Sequence, residues 1–217
     1  MQPEYETFRL ADARIVWLRP LSAEDAPRLI DLCRRVSPET RRRRFLRSTA
    51  RCDVTEAERL AAVDQVERVA LAAVSDPAPE APIVAVGRLH ADGSDRAEIG
   101  LLVEDAYQHV GLGRLLLNRL LDEASRRGLR ALDGYVLYDN RPMLQLLRTS
   151  GRHIEVRWDG GDVLSVELDL ANQSSPVNRS LSATRRHQLP PAREKRVRAP
   201  MASFGALEDL ATKEAAS

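Results

Sequence analysis

The most informative segment of the sequence is Leu101–Gly113, LLVEDAYQHVGLG, followed directly by Arg114–Gly128, RLLLNRLLDEASRRG. A short apolar run, a glycine-containing turn and a leucine-rich amphipathic segment predict a strand, a loop and a helix. Gly111 and Gly113 would let the main chain approach a ligand closely, and the unpaired N–H groups at the start of the helix favour a phosphate. A tight turn without a ligand explains the same glycines, so both interpretations stay open here. The spacing matches neither a dinucleotide-binding fingerprint nor a P-loop.

The elements around this stretch predict a mixed sheet with helices on its faces. Residues 1–11 are polar and are expected to form a loosely docked lead-in. Alternation and turn signals then predict strands and helices in the order β-α-α-α-β-β-β-α-β-α-β-β. We therefore predict an α/β (α+β) protein whose mostly antiparallel sheet has six to seven strands, with helices on both faces. The predicted strands cover residues 13–19, 66–75, 83–90, 96–103, 129–138, 153–158 and 163–170.

Composition divides the chain into two parts. From Ala171 to the end, eight Lys and Arg stand against four Asp and Glu, whereas residues 1–170 have 25 and 28. The final segment is rich in Ser, Pro and Arg and has no apolar periodicity, so we predict one domain over 1–170 and a disordered basic tail over 171–217.

Bulk properties also limit the classes of function. No apolar run is long enough for a membrane span, and no secretory leader is recognisable, so a cytoplasmic protein without membrane contact is expected. The formal net charge of +1 argues against nucleic-acid binding by the whole molecule; binding by the tail segment 179–198 would rest on composition alone. The histidines show no metal-type spacing, so no metal is expected. Cys33 and Cys52 are likewise expected to be reduced thiols.

Three motifs occur together in this order of elements. They are the strand EIGLLV at 98–103, the loop Q-x-x-G-x-G at 108–113, and the helix start YDNRPML at 138–144. Together they resemble the GNAT family of acyl-CoA-dependent N-acyltransferases, and the resemblance covers about residues 9–170. It implies transfer of an acetyl group from acetyl-CoA, as cosubstrate, to a primary amine of a protein lysine or a small molecule, by a monomer or homodimer.

The resemblance also implies where the cofactor would bind. Main-chain amides of Val110, Gly111, Leu112, Gly113 and Arg114 would bind the coenzyme A pyrophosphate, in a loop shaped by Gln108 and containing His109. The main chain of Leu101, Leu102 and Val103 would pair with the pantetheine arm like an added strand. The Val103 amide would donate to the thioester oxygen. Asn140 would contact the pantetheine side, although its position equally fits a plain helix N-cap.

Glu98 is the candidate general base. On an alternating strand it shares a face with Gly100 and Leu102, and Gly100 would leave space for an acetyl group or a water. A glutamate also occupies this position in the branch of the family that acetylates protein lysines, which our sequence resembles. A solvated glutamate paired with Arg96 or Arg88 is the alternative interpretation.

One departure from the family pattern concerns the leaving group. Many members carry a tyrosine seven residues after the asparagine, as general acid for the thiolate; here that position is Leu147, and Arg152 replaces the usual phenylalanine. Tyr135 or Tyr138 could substitute. The departure gives weight to a second hypothesis, a non-catalytic acyl-CoA-binding regulatory module. The run Arg41–Arg44 is expected mainly as a solvated helix face, with substrate contact as the alternative.

Overall fold

The structure is a computed structural model that describes residues 5–46, 53–91 and 93–173. Its centre is an eight-stranded sheet in the order β1-β2-β3-β4-β5-β6-β8-β7. The strands are β1 Glu6–Arg9, β2 Ile15–Pro20, β3 Arg68–Val74, β4 Ile83–Ala91, β5 Arg96–Val103, β6 Ala131–Leu137, β7 Arg152–Gly160 and β8 Val163–Gln173. All neighbours are antiparallel except β5 and β6, which are parallel.

In the described part of the chain, five α-helices cover the two faces of the sheet. They are α1 Ala26–Arg35, α2 Pro38–Phe45, α3 Val54–Ala61, α4 Leu112–Arg126 and α5 Arg141–Arg148. Helices α1 to α3 pack with Ala70, Val86 and Leu102 on one face. Helices α4 and α5 pack with Leu89 and Ile99 on the other face. The predicted fold class is confirmed, and from β2 onward the elements follow the predicted order.

The strand count is higher than the predicted six to seven because the polar lead-in contains β1. Its residues pair with β2 in antiparallel register, with Thr7 opposite Trp17. Only Phe8 of the four residues is even partly buried. An edge strand that is held by backbone pairing needs no alternation of apolar and polar residues. The hydrophobic pattern of the sequence therefore could not reveal β1.

Caps in the structure explain where the early helices begin. Ser37 caps α2, since its hydroxyl accepts a hydrogen bond from the Thr40 amide at 3.1 Å. Helix α3 is capped by Asp53, whose carboxylate accepts a hydrogen bond from the Glu56 amide at 2.9 Å. Both residue types are preferred at the N-cap position of a helix.

Gly87 explains how closely α4 lies on the sheet. A Cβ at this position would come within 2.9 Å of Leu120 Cδ1 and 3.1 Å of Leu101 Cδ2. Leu116, Leu117 and Leu120 of α4 are completely buried over this part of the sheet. The small residue on β4 therefore fixes the distance between α4 and β5, the two elements that frame the cleft described below.

Some predictions concern residues that the structure does not describe. The predicted tail over 171–217 lies outside the described residues from 174 onward, and β8 continues to Gln173. Cys33 is disulfide-bonded, which corrects the expectation of a reduced thiol, and Cys52 is outside the described residues. Among the helices that the structure describes, none is long and apolar enough to cross a membrane.

Candidate active site between strands β5 and β6

The parallel strands β5 and β6 pair at one end only. The paired residues are Arg96 with Ala131, Ala97 with Leu132, and Glu98 with Asp133. Beyond Glu98, no strand among the described residues pairs with this side of β5, although β4 continues to pair with β5 as far as Val103. The second half of β5 therefore presents an open edge inside the molecule, next to a cleft.

Antiparallel pairing with β4 determines which main-chain groups of β5 face this cleft. The Glu104 amide donates to the Val84 carbonyl at 2.9 Å, and the register with β4 is continuous from residue 97 to 103. The hydrogen-bonding direction of the main chain alternates along a strand. The N–H and C=O groups of Leu102 therefore point to β4, while those of Leu101 and Val103 point to the cleft. The Val103 carbonyl indeed accepts from Gln108 Nε2 at 3.1 Å. The main chain of Leu102 cannot pair with an arm in the cleft, which corrects that part of the expectation.

The glycine loop lies at the far end of the same cleft. Gly111 precedes the first residue of α4 and has φ +96°, a left-handed conformation that strongly favours glycine. Gly113 is different, because a Cβ there would meet only Leu146 Cδ2, at the ordinary distance of 3.5 Å. Nothing inside the described protein requires glycine at 113, whereas close approach of a ligand to the helix start would.

The cleft is a cavity of about 560 Å³ that brings together most of the predicted residues. Two of them do not line it: Leu112 is completely buried in the core, and the Val110 carbonyl accepts from the Ala11 amide at 3.0 Å. The Nη1 and Nη2 atoms of Arg114 donate hydrogen bonds to Thr149. The predicted residues that line the cavity are Glu98, Leu101, Leu102, Val103, Gln108, His109, Gly111, Gly113, Arg114 and Asn140.

Asn140 has the position of a helix cap at the cleft wall. Its side-chain oxygen accepts from the Met143 amide at 3.3 Å, at the start of α5. The residue is buried and also lines the cavity. The cap interpretation is confirmed, and contact with a ligand remains compatible with it.

Glu98 lies partly buried in the cavity wall, at the point where β5 and β6 separate. Burial raises the pKa of its carboxyl to about 7. The negative charge of Asp133 adds to this increase, and the positive charge of Arg44 opposes it. The alternative of a pair with Arg96 is wrong, because Arg96 bonds to Asp133 at 2.8 Å and to Glu167 at 2.9 Å. A carboxyl with such a pKa can accept a proton near neutral pH.

The space expected beside Gly100 is filled by an arginine. The Nη2 and Cζ atoms of Arg44 lie 2.7 and 2.9 Å from the point where a Cβ at 100 would be. Gly100 is therefore the surface on which the guanidinium lies, which corrects the expectation of room for an acetyl group. Arg44 and Thr40 are four residues apart on α2 and both line the cavity. That helical spacing could have singled out this face of the arginine run.

A second group that the sequence did not reveal connects α2 to the cleft. Asp105 accepts from the Ser37 amide at 2.8 Å, and from the hydroxyls of Ser37 and Thr40 at 2.7 Å each. Partial burial opposes ionisation, but these hydrogen bonds hold the pKa of Asp105 below its ordinary value. Gln108 donates to both Thr40 Oγ1 and the Val103 carbonyl at 3.1 Å. The start of α2, the loop and the open edge of β5 thus form one connected unit.

The two candidate substitutes for the absent tyrosine occupy different places. Tyr135 lines the cavity. Tyr138 is 57% exposed and lies against Trp158, outside the cavity. Leu147 is completely buried in the core beneath α5. Of the two, only Tyr135 is placed where a leaving group could meet it.

The described side chains suit no metal ion. Within residues 5–46, 53–91 and 93–173, no group of three His, Cys, Asp or Glu side chains could hold a metal. What the cleft offers is an open strand edge, a helix start with unpaired amides and a carboxyl titrating near neutrality. This combination is suited to a long phosphorylated cosubstrate and a proton transfer.

Comparison with known proteins identifies the family. The sequence model of the Acetyltransferase (GNAT) family matches residues 33–151, which include the whole cleft from α2 to α5. The chain belongs to the GNAT family of acetyltransferases. Among curated proteins, this GNAT chain is 31% identical over 138 residues to "Acetyltransferase PA5475" of Pseudomonas aeruginosa, covering 63% of our chain and 74% of that protein.

Solved structures share the GNAT fold. The GNAT domain of S. lividans PAT is 28% identical, with a TM-score of 0.67, over 76% of our chain and 96% of that one. The paia N-acetyltransferase of Thermoplasma acidophilum, solved with coenzyme A, is 19% identical, with a TM-score of 0.55, over 71% of our chain and 98% of that one.

Proposed function

We propose that this GNAT protein transfers an acetyl group from acetyl-CoA to a primary amine, on a protein lysine or a small molecule. The observation that carries the proposal is Glu98, whose carboxyl has a pKa of about 7 at the inner end of an open strand edge. The acceptor would attack the thioester directly, with both substrates bound in the same cleft. No covalent enzyme intermediate is needed.

The geometry of the cleft supports a specific orientation of the cosubstrate. The first-turn amides of α4 next to Gly111 and Gly113 would bind the pyrophosphate, because a helix start carries unpaired N–H groups and a positive dipole end. The pantetheine arm would follow the open edge of β5, hydrogen-bonded to Leu101 and Val103. A related fold, that of the Thermoplasma acidophilum protein, was solved with coenzyme A.

The side chain of Glu98 would accept the proton of the amine. An alkyl amine has a pKa of about 10.4 in water and must lose its proton to attack. At pH 8 the Glu98 carboxyl, with a pKa of about 7, is mostly ionised and able to accept that proton directly or through a water. The Val103 amide would donate to the thioester oxygen as negative charge develops there.

Departure of the thiolate would need little assistance. A thiol has a pKa of about 8.5, so it leaves as the anion near neutral pH. The buried Leu147 offers no proton. Glu98, protonated after the attack, or Tyr135 would be the source of one.

The second candidate function is a non-catalytic acyl-CoA-binding regulatory module. It is favoured by Leu147 at the general-acid position and by the guanidinium of Arg44 lying where an acetyl group was expected. Both candidates predict binding of coenzyme A to the same cleft. Binding alone therefore does not separate them.

The experiment is a thiol-release assay with acetyl-CoA and a panel of amines and lysine peptides, with mass spectrometry of the acetylated products. We expect release with at least one acceptor, and a reduction of about 10²–10⁴-fold in kcat for Glu98→Gln with little change in coenzyme A binding by calorimetry. The matched control is Glu58→Gln on the exposed face of α3. Release with no acceptor, together with tight coenzyme A binding, would favour the regulatory module. Full activity of Glu98→Gln would remove Glu98 from the mechanism.

A further inference from the structure

The four consecutive arginines of α2 differ in how their charges are balanced. Arg41 donates to the Cys33 carbonyl at 3.0 Å. Arg42 is paired with Glu39, with Asp139 and, at 3.6 Å, with Asp162. Arg43 lies 2.7 Å from Glu39. Arg44 forms no hydrogen bond or ion pair with any residue that the structure describes, although its side chain is directed into the cavity.

The surroundings of Arg44 leave its charge largely uncompensated. The guanidinium lies on Gly100 and beside the ring of Phe45, with Cζ 5.5 Å from the ring centroid. Burial lowers the pKa of Arg44, although Glu98 and Glu56 oppose this. Glu98 is the one carboxylate among the described residues that line the cavity. Since its pKa is about 7, it carries only part of a negative charge at neutral pH.

Further cations lie on the same face of the sheet. Arg88 is directly opposite Gly100 on β4, is buried, and donates to the Leu60 carbonyl. Burial and the neighbouring charge of Arg44 lower the pKa of Arg88. Arg59, paired with Glu56 at 2.6 Å, adds to the same field. Arginines therefore outnumber carboxylates on this face of β5 around Gly100, where Glu56 is paired with Arg59 and Glu98 is the carboxylate that lines the cavity.

We propose that the acceptor amine carries a carboxylate, and that Arg44 binds this carboxylate while Glu98 receives the proton of the amine. The inference rests on the proposed acetyl transfer and specifies its acceptor. Glu98 and Gly100, on which the Arg44 guanidinium lies, are two residues apart on one strand face, so their Cα atoms are about 7 Å apart. A zwitterion whose charges have a comparable separation can contact both groups, whereas a diamine would place a second cation against Arg44.

Two sources of this chemistry are distinguished by the probes. The first probe pair is 6-aminohexanoate and 6-aminohexanamide. At the end opposite the amine, the first molecule carries a carboxylate and the second a neutral amide. The second is a short lysine peptide flanked by glutamate and the same peptide with glutamine. A preference in the first pair identifies a small amino acid as acceptor, and a preference confined to the second identifies a lysine in an acidic segment. 1,6-Diaminohexane serves as the cationic comparison.

The experiment measures kcat/KM for each probe and, independently of turnover, the affinity of each probe for the protein saturated with coenzyme A. An arginine–carboxylate contact increases affinity by about ten- to a hundredfold. We therefore expect the wild type to favour the carboxylate probe over its neutral partner by that factor. Arg44→Gln should abolish the preference, Arg44→Lys should keep part of it, and Arg44→Glu should favour the diamine. The KM for acetyl-CoA should not change. Arg34→Gln, on the exposed face of α1, is the surface control.

Several results would overturn the inference. They are equal binding of each charged and neutral pair, tighter binding of the diamine by the wild type, or an unchanged preference in Arg44→Gln. A rise in the KM for acetyl-CoA without loss of preference would assign Arg44 to the cosubstrate. If no probe is acetylated but the carboxylate probe still binds through Arg44, the proposed acetyl transfer fails and this recognition stands. Thermal unfolding of each variant shows whether the fold is intact.

Discussion

Glu98 and Asp133 are the last paired residues between β5 and β6. Beyond them the two strands diverge, and the cavity opens along the remaining edge of β5. The same pair affects proton affinity, since the Asp133 charge adds to burial in raising the pKa of Glu98. The point where the sheet opens is thus also the point where a carboxyl titrates near neutral pH.

The first prediction concerns the pH dependence of acetyl transfer. Because Glu98 must be ionised to accept a proton, kcat/KM should rise with pH through an apparent pKa of about 7. Asp133→Asn removes a charge that raises this pKa, so the rise should move to lower pH. Asp159→Asn, at the exposed end of β7, should leave the profile unchanged. A profile without a transition below pH 8 would contradict the assignment of Glu98.

The second prediction concerns stability. The pKa of Glu98 in the folded protein, about 7, is above its ordinary value of 4.5, so folding favours the protonated form. Stability should therefore decrease as the pH rises from 4.5 to 7 and remain lower above that range. Glu98→Gln should raise the free energy of unfolding at pH 8 by about 1–3 kcal/mol, with little effect near pH 4. Urea denaturation at both pH values tests this. If Glu98→Gln lowers the free energy of unfolding at pH 8, burial of the ionised carboxylate does not destabilise the folded protein.

The third prediction separates the two glycines of the loop. Gly111→Ala places a side chain at φ +96° and should reduce stability by about 1 kcal/mol or more. Gly113→Ala meets only an ordinary contact with Leu146 and should be neutral or slightly stabilising. Both should weaken coenzyme A binding in calorimetry, because each Cβ lies at the helix start facing the cleft.

A third glycine provides the control for that comparison. Gly93 has φ +80° in the β4–β5 hairpin, away from the cavity. Gly93→Ala should reduce stability without changing coenzyme A affinity. If Gly113→Ala binds coenzyme A as tightly as the wild type, the helix start is not a phosphate site.

The fourth prediction concerns Asp105, which joins α2 to the loop after β5. Asp105→Ala removes three hydrogen bonds from Ser37 and Thr40. Since the site is exposed, we expect a loss of about 1 kcal/mol in stability. We also expect a higher KM for the amine acceptor, because α2 carries Arg44. The pKa of Asp105 is lowered, so its contribution is present near neutral pH and lost as the pH falls below 3.8. Steady-state kinetics and denaturation at pH 7 and pH 3 measure both effects, and an unchanged KM would argue against coupling between α2 and the site.

Local patterns were sufficient for the strand, loop and helix at residues 101–128 and for the order of the other elements. Leu116, Leu117 and Leu120 recur at helical spacing, and Gly111 stands where the chain must adopt a positive φ. Such features depend on neighbours within one or two turns and are visible in any sequence. The strand β1 was missed because its formation depends on a partner and not on its own pattern.

The order of elements could be read from the sequence because periodicity and turn glycines act over short distances, and the family resemblance pointed to most of the cavity-lining residues on β5 and in the loop. Three features required the folded structure: β5 and β6 separate after Glu98, the main chain of Leu102 faces β4, and Arg44 lies on Gly100. These facts depend on the pairing of segments far apart in the chain and on the burial that follows from it. Burial and neighbouring charges set the pKa of Glu98, and no local pattern encodes them.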